Sequence, residues 1–331
     1  MSKGPPPPPP DPVMELCGSS PVTCLAFGEV TFADKKSTFF SGHQDGKILC
    51  WNIKSQRILT HLESHSETVL WVASPKENIL ITQGREGFLK IWAAEQSNWK
   101  KLGTISTAAY IFCNSSLLSL ADYYLVSVPA EESGTISVHR ILSDFTVDGG
   151  QTPQKLIPTS QKELGMCMKM CSFLFKSSVQ RLLVAYESGS LLLWDMLRSV
   201  ILSKLKAHSD SVMCLDICST KDQGVFRAFS GSVDTDLKSW LITDDTLTQD
   251  QFVSITNPGL SSLASRRDGR IVASGGWDGS CRMFTTAKLR PLVVLSHHKE
   301  SVQCVAFSAE NRLAAGSKDG YITMWDVYVD K

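Results

Sequence analysis

The sequence has no excess of charge of either sign. Its 331 residues contain 33 Lys and Arg against 33 Asp and Glu, so the formal net charge at pH 7 is zero. Proteins that bind nucleic acids or anionic membranes need a clear excess of Lys and Arg to neutralise phosphate groups. The composition therefore disfavours nucleic acids and membranes as partners, although it is compatible with a local basic patch.

Long apolar runs are also lacking. A membrane-spanning helix needs roughly 20 consecutive apolar residues, and no run in this sequence approaches that length. Residues 1–4 lead directly into six prolines, so the N-terminus does not have the charged-then-apolar pattern of a signal peptide. We expect a soluble protein of the cytoplasm, with the nucleus as a second candidate location.

Motifs for catalysis and metal binding are lacking as well. The ten cysteines form no Cys-x-x-Cys pair, and the pairs Cys167/Cys171 and Cys214/Cys218 are too widely spaced to share a metal ion without further ligands. Residues 42–47 match a phosphate-binding loop only in part, and no Gly-x-Ser-x-Gly motif occurs. The sequence therefore predicts no enzyme activity, no metal ion and no cofactor.

An internal repeat is the strongest feature that is present. A turn residue, usually Gly, is followed by a short strand and, five positions later, by an aromatic side chain. Two further short strands precede each of these frames. This pattern is typical of the blades of a β-propeller. The seven aromatic positions, one for each predicted blade, are Trp51, Trp92, His139, Trp194, Trp240, Phe284 and Trp325.

The repeat predicts an all-β fold, a seven-bladed propeller that spans residues 13–331. Residues 1–12 are expected to be a disordered Pro-rich tail, with a ligand for an aromatic-lined groove as the alternative. Residues 143–165, between blades three and four, are expected to form a mobile or partner-facing loop. Residues 243–251 are expected to be a solvated connection between strands.

Closure of the ring is predicted to use the N-terminal segment. Few residues follow Trp325, so blade seven lacks a fourth strand, whereas residues 13–17 precede blade one and belong to no blade. An open ring would leave two sheet edges exposed. We therefore expect residues 13–17 to supply the outer strand of blade seven.

The repeat resembles the WD-repeat family, whose Trp-Asp pair is present at Trp194-Asp195 and Trp325-Asp326. The resemblance implies a WD40 propeller in which a His, a Ser or Thr, an Asp and the Trp of one blade form a chain of hydrogen bonds. Buried polar groups need such partners, so the expected role is structural rather than catalytic. Blade five carries the complete set and blade two carries it with Glu for Asp: His208, Ser230, Asp234 and Trp240, and His65, Thr82, Glu86 and Trp92.

The remaining blades carry incomplete sets. Blade seven has His298 and Asp319 but Ala315 at the hydroxyl position. Blades one and six have the Ser and the Asp but no His before the first strand, and blade six has Phe284 in place of Trp. Blades three and four lack the polar set.

One face of the predicted propeller is a candidate partner-binding surface. It carries the turns between the second and third strands, in which Arg85, Trp277 and Lys318 lie seven positions before an aromatic position. Trp277 is a candidate interface anchor, and packing onto a neighbouring blade is the alternative. Arg85 and Lys318 either contact an acidic partner segment or are simply solvated.

Residues 5–12, 257–260 with 273–278, and 302–307 with 313–319 resemble one WD-repeat subfamily. This subfamily contains the guanine nucleotide-binding protein subunit beta-like proteins and their fungal ASTRA-associated relatives. The resemblance implies a scaffold, specifically an adaptor with co-chaperones for the stability of phosphatidylinositol 3-kinase-related kinases and for DNA-damage signalling.

Two other functions of β-propellers fit the sequence less well than the adaptor. A G-protein γ subunit is not an expected partner, because prolines before blade one prevent the coiled coil that true β subunits form with it. The alternative to the adaptor is a substrate receptor or peptide reader of a ubiquitin-ligase or chromatin complex. An aromatic cage in the central channel would favour that alternative.

Overall fold

The computed structural model describes residues 10–31, 38–96, 98–176 and 178–328. Within these ranges the strands form seven antiparallel sheets of four strands each, and every sheet is one blade. The prediction of a disordered tail concerns residues 1–12, of which 1–9 lie outside the described residues, so it stays a prediction.

The strands follow one another in chain order, and four consecutive strands make a blade except at the ring closure. The first strand, which precedes blade one, is β1 (Met14–Cys17). Blade one contains β2 (Val22–Gly28), β3 (Thr38–His43), β4 (Lys47–Asn52) and β5 (Arg57–Glu63). Blade two contains β6 (Val69–Ala73), β7 (Ile79–Gly84), β8 (Phe88–Glu95) and β9 (Asn98–Ser106). Blade three contains β10 (Ser116–Ser119), β11 (Tyr123–Pro129), β12 (Ile136–Leu142) and β13 (Gln154–Leu156).

A helical turn, α1 (Gln161–Leu164), separates blade three from the later blades. Blade four contains β14 (Cys167–Phe175), β15 (Val179–Tyr186), β16 (Ser190–Asp195) and β17 (Val200–Lys206). Blade five contains β18 (Val212–Ser219), β19 (Val225–Ser232), β20 (Asp236–Thr243) and β21 (Thr246–Ser254). Blade six contains β22 (Leu260–Ser265), β23 (Ile271–Gly276), β24 (Ser280–Thr285) and β25 (Pro291–Ser296). Blade seven contains β26 (Val302–Phe307), β27 (Leu313–Ser317), β28 (Tyr321–Trp325) and β1.

The middle strands of a blade are buried on both faces, because each sheet packs between two others. Every residue of β3 and of β16 is buried, whereas the outer strands β5 and β17 expose much of their length. A strand covered on both faces is predominantly apolar rather than alternating. This explains the apolar runs that come before and within each aromatic frame.

The core consists of seven clusters of buried side chains among the described residues, and each cluster lies between two neighbouring blades. The cluster between blades seven and one combines Cys304 and Met324 with Val22 and Trp51. Because the last blade packs on the first, the blades form a closed ring.

The strand β1 completes that ring. It pairs antiparallel with β28, with Leu16 opposite Ile322 and Cys17 opposite Tyr321. Leu16 is only 5% exposed and belongs to the cluster between blades seven and one. The predicted seven-bladed propeller, closed by an N-terminal strand, is confirmed.

Both predictions about the inserts need correction. Within residues 143–165, β13 forms the outer strand of blade three, and Leu156 and Leu164 are buried, so most of this insert is ordered against the propeller. Residues 243–251 belong mainly to the hairpin of β20 and β21, and only Asp244 and Asp245 form the turn. Outer strands contain many polar residues because one face is solvated, which makes them resemble loops in sequence.

No helix in the described ranges is long and apolar enough to cross a membrane. The helical turn α1 has four residues.

Candidate partner-binding face

Blade five brings its four predicted polar residues together. The Nδ1 atom of His208 lies 3.0 Å from the Asp234 carboxylate, and its Nε2 atom lies 2.8 Å from the Ser230 hydroxyl. The Trp240 indole N–H donates to the same hydroxyl at 2.8 Å. Burial lowers the pKa of His208, which favours the neutral ring. With Nδ1–H donating to Asp234 and Nε2 accepting from Ser230, every member has a partner.

Blade two contains the same arrangement with a longer carboxylate side chain. His65 Nδ1 lies 2.5 Å from Glu86, and His65 Nε2 lies 2.8 Å from the Thr82 hydroxyl. The Trp92 indole N–H donates to that hydroxyl at 3.0 Å. Burial also lowers the pKa of His65. In both blades the His and the hydroxyl are buried, so these polar groups connect strands and are not presented to a ligand.

Blade one replaces the missing His with one from its own second strand. His43 Nε2 lies 2.8 Å from the Ser41 hydroxyl, which accepts the Trp51 indole N–H at 2.8 Å. His43 Nδ1 lies 3.0 Å from the backbone carbonyl of Ser20, which takes the place of the Asp carboxylate. His43 was not among the predicted residues, and its only signal in the sequence is a His two positions after the Ser of that strand.

Blade seven replaces its missing hydroxyl from another strand. His298 Nδ1 lies 3.2 Å from Asp319, and its Nε2 lies 2.8 Å from the hydroxyl of Thr323 on β28. Ala315 offers no acceptor to Trp325, and the buried indole N–H of Trp325 has no partner among the described residues. The substitution of Ala for Ser therefore leaves one hydrogen bond unmade.

Blade six replaces the His with a guanidinium and an amide. Arg282 donates twice to Asp278, at 3.1 and 2.5 Å, and Asn257 donates to it at 2.8 Å. Burial opposes ionisation of Asp278, but these hydrogen bonds outweigh it and lower its pKa to about 2. Asp278 is therefore fully engaged within its own blade.

The turns between second and third strands, and the turns that lead into each next blade, lie on one face because the strands are antiparallel. At the centre of this face is a cavity of about 350 Å³ that we call the face cavity. Side chains from all seven blades line it, and they include Arg85, Trp277 and Lys318 together with Phe112, Met168 and Lys169. The structure thus brings the three predicted residues together around one opening.

Trp277 both packs and remains exposed. Its ring lies over Gly259, where an added Cβ would come within 2.2 Å of the indole carbon Cδ2, and the φ of +90° at Gly259 also favours glycine. Trp277 is nevertheless 45% exposed at the face cavity. Gly259 is in the turn that leads into blade six, so the indole rests on its own blade and keeps a free surface.

Arg85 is held by an aromatic ring that the sequence analysis did not single out. Its guanidinium carbon lies 4.9 Å from the centre of the Phe112 ring, within the range of a cation–π interaction. Phe112 is 58% exposed, in the turn that leads into blade three. No spacing rule connects Phe112 to Arg85, because that turn lies outside the aromatic frame.

The cysteine pairs considered as metal ligands are packed between inner strands. The Sγ of Cys171 lies 3.5 Å from the Leu215 carbonyl, and that of Cys214 lies 3.5 Å from the Leu260 carbonyl. Burial raises the pKa of the Cys214 thiol to about 12. These thiols are therefore protonated groups that join neighbouring blades.

Comparison with known proteins agrees with this architecture. The WD domain, G-beta repeat family matches residues 10–52, 251–285 and 289–326, which include the first and the last two aromatic frames. Guanine nucleotide-binding protein subunit beta-like protein 1 of Mus musculus is 33% identical over 314 residues, covering 93% of each chain. The chain belongs to the WD-repeat family of beta-like protein 1. This confirms the resemblance noted in the sequence.

Fungal proteins are also similar to this chain over most of its length. ASTRA-associated protein 1 of Schizosaccharomyces japonicus is 24% identical over 339 residues, covering 87% of this chain and 92% of the fungal one. Its counterpart in Schizosaccharomyces pombe is 23% identical over 368 residues, covering 94% of this chain and 96% of the fungal one. The similarity between this chain and these relatives therefore spans nearly the whole propeller rather than single repeats.

Proposed function

We propose that this protein is a non-catalytic scaffold that binds other proteins. In its specific form it is an adaptor that works with co-chaperones, in the cytoplasm and the nucleus, to stabilise phosphatidylinositol 3-kinase-related kinases and so to support DNA-damage signalling. Its membership of the beta-like protein 1 family is consistent with a protein-interaction scaffold. The name of the fungal relatives, ASTRA-associated, supports membership of a larger complex.

The observation that carries the proposal is the exposure of Trp277 at the face cavity. A large aromatic side chain that remains 45% exposed beside a cavity is the kind of anchor that a protein partner covers. The His–carboxylate pairs of blades two and five, and Asp278 of blade six, are engaged in internal hydrogen bonds instead. The face is therefore suited to binding and offers no nucleophile–base pair for chemistry among these groups.

The alternative function, a peptide reader with an aromatic cage, has less support. The Phe112 ring already faces the guanidinium of Arg85, and Trp277 rests on Gly259. Phe112 and Trp277 form no ring pair within the described part of the chain. The face cavity thus lacks the paired rings with which a methylated lysine is enclosed.

Affinity purification from cells tests the proposal. The wild-type protein is expected to recover co-chaperones and large kinases, and Trp277→Ala is expected to lose them while its melting temperature changes little. Phe252→Ala is the matched control, because Phe252 is an exposed aromatic residue on the outer strand β21. Recovery of ubiquitin-ligase subunits instead, or unchanged recovery by Trp277→Ala, would contradict the adaptor role.

A further inference from the structure

We infer that the face cavity binds an acidic segment of a partner protein, one whose Asp and Glu side chains contact Arg85 and Lys318 while an apolar side chain packs on Trp277. This inference rests on the proposed function, because it names the chemistry of the segment that the scaffold binds. It follows from the charge, the geometry and the apolar lining of the cavity.

The charge of the lining is one-sided. Arg85, Lys169 and Lys318 line the face cavity, and no Asp or Glu lines it among the described residues. None of these three cations forms an ion pair with a described residue. The chain as a whole is neutral, so the positive potential is local to this opening.

The carboxylates in the neighbouring turns form no ion pair with these cations, because hydrogen bonds hold them within their own blades. Glu86, next to Arg85 in the chain, lies within hydrogen-bond distance of His65. Asp278, next to Trp277, accepts from Arg282, and Asp319, next to Lys318, lies 3.2 Å from His298. The hydrogen bonds of the polar sets thus hold these acidic side chains within the blades, whereas the cations line the cavity.

Arg85 is oriented for a carboxylate. The guanidinium lies over the Phe112 ring, which limits where the group can move. Its buried Nε atom has no hydrogen-bond partner among the described residues. A guanidinium that has no carboxylate partner of its own and lines a cavity is suited to bind a carboxylate of a partner through two parallel hydrogen bonds.

Lys169 lies deeper than Arg85 and Lys318, where the face cavity meets the central channel. Its ammonium lies 2.7 Å from the side-chain amide of Asn114. Lys169 also lines a second cavity of about 390 Å³ formed by inner strands, so it lies between the mouth of the channel and its interior. Asp216 also lines this second cavity and offsets the charge of Lys169 there, so an acidic side chain that enters the mouth contacts the cations at the rim, Arg85 and Lys318.

The apolar part of the lining determines the second requirement of the ligand. Leu70, Met168 and Met213 line the face cavity together with Phe112 and Trp277. Methionine side chains adapt to ligands of irregular shape. Purely acidic polymers would leave these surfaces uncovered, so the segment that fits combines carboxylates with at least one large apolar side chain.

Selection from a display library of random short peptides tests the inference on the full-length protein. The wild type is expected to enrich peptides rich in Asp and Glu that contain an apolar residue. The double variant Arg85→Gln, Lys318→Gln is expected to lose that enrichment. The matched control is Lys221→Gln, Lys288→Gln, which removes two exposed cations from turns on the opposite face and is expected to select the same peptides as the wild type.

Fluorescence polarisation with the most enriched peptide gives the magnitude. We expect Kd to rise roughly tenfold or more in the Arg85→Gln, Lys318→Gln variant and to rise with salt. Peptides without an acidic excess, binding insensitive to both changes, or binding only of versions with phosphoserine in place of the acidic residues would overturn the inference. If Trp277→Ala alone abolishes partner recovery while the charge variants retain it, the scaffold role stands and the acidic ligand does not.

Discussion

Met14 lies opposite Met324 in the antiparallel ladder that joins β1 to β28. The ladder is short, with four paired residues, and Val13 adds a backbone hydrogen bond of 2.8 Å to the Met324 carbonyl. Because no other strand in the described part of the chain lies at the outer edge of blade seven, this ladder carries the closure of the ring. The side chain that anchors it in the core is Leu16.

Leu16→Ala is expected to lower the free energy of unfolding by about 2–5 kcal/mol, because it leaves a cavity in the cluster between blades seven and one. Denaturant unfolding measures the change. Val13→Ala is the control: Val13 is 55% exposed, and its backbone hydrogen bond is kept, so its effect is expected to stay within about 0.5 kcal/mol. Equal stability of Leu16→Ala and wild type would show that the strand is not needed for closure.

Ser230→Ala is expected to cost about 1–3 kcal/mol of folding stability, since both the Trp240 indole and His208 lose their partner in a buried site. Thermal and denaturant unfolding report the difference. Thr248→Ala removes an exposed hydroxyl from the outer strand of the same blade and serves as the control. Similar costs for the two variants would argue against a connected hydrogen-bond chain.

Ala315→Ser is expected to stabilise blade seven by about 0.5–1.5 kcal/mol, because the new hydroxyl gives the Trp325 indole N–H an acceptor. Ala315 lies opposite Thr323 as Ser230 lies opposite Lys238, so the two positions are equivalent. Ala314→Ser places a hydroxyl in the apolar cluster with blade one and is expected to destabilise. Destabilisation by both substitutions would mean that the site has no room for the hydroxyl.

Asp216 is expected to make folding stability depend on pH. Burial raises its pKa to about 6, although Ser265 donates a backbone hydrogen bond to it. Because this pKa exceeds the ordinary Asp value of 3.8, the folded state binds the proton more tightly than the unfolded state. The resulting stabilisation is present at low pH and is lost as the pH rises through 6.

Asp216→Asn removes this pH dependence. The difference in free energy of unfolding, variant minus wild type, is therefore expected to increase between pH 4 and 7 by about 1.4 kcal/mol per unit of pKa shift. Taking the difference cancels the contributions of the titratable groups that the two proteins share. Urea unfolding at several pH values measures it. A difference that stays flat across this window would show that Asp216 titrates alike in the folded and unfolded states.

The sequence was sufficient to predict the blades. The distance from each turn Gly to its aromatic residue is set by the hairpin geometry, so Trp51, Trp240 and Trp325 each lie in the third strand of a sheet. The outer strands β13 and β21 escaped prediction, because strands at the rim of a blade need apolar residues on one face only.

The residues that take the place of missing members of the polar sets could not be predicted from the sequence. A hydrogen bond requires two atoms close in space, and several strands can supply them: His43 comes from β3, Thr323 from β28 and Arg282 from β24. Only the residues of the family pattern have a fixed spacing in sequence.

Some residues of the face cavity could be predicted from the sequence and others could not, for the same reason. Arg85 and Trp277 are in turns whose position relative to the aromatic residue is constant, so a counting rule finds them. Phe112 and Lys169 come from a turn between blades and from an inner strand, where segment lengths vary. Their place at the cavity follows only from the three-dimensional structure.

Blade seven combines an early strand, β1, with three late strands, and this determines the order in which the sheets can form during synthesis. Each of blades one to six is a continuous stretch of sequence and can form as soon as that stretch leaves the ribosome. The seventh sheet cannot form until residues 302–325 have been made and can pair with residues 14–17. Until translation reaches β28, both ends of the growing array expose unpaired strand edges and apolar faces. The apolar faces at the two ends of the array are therefore covered only once β28 has been made.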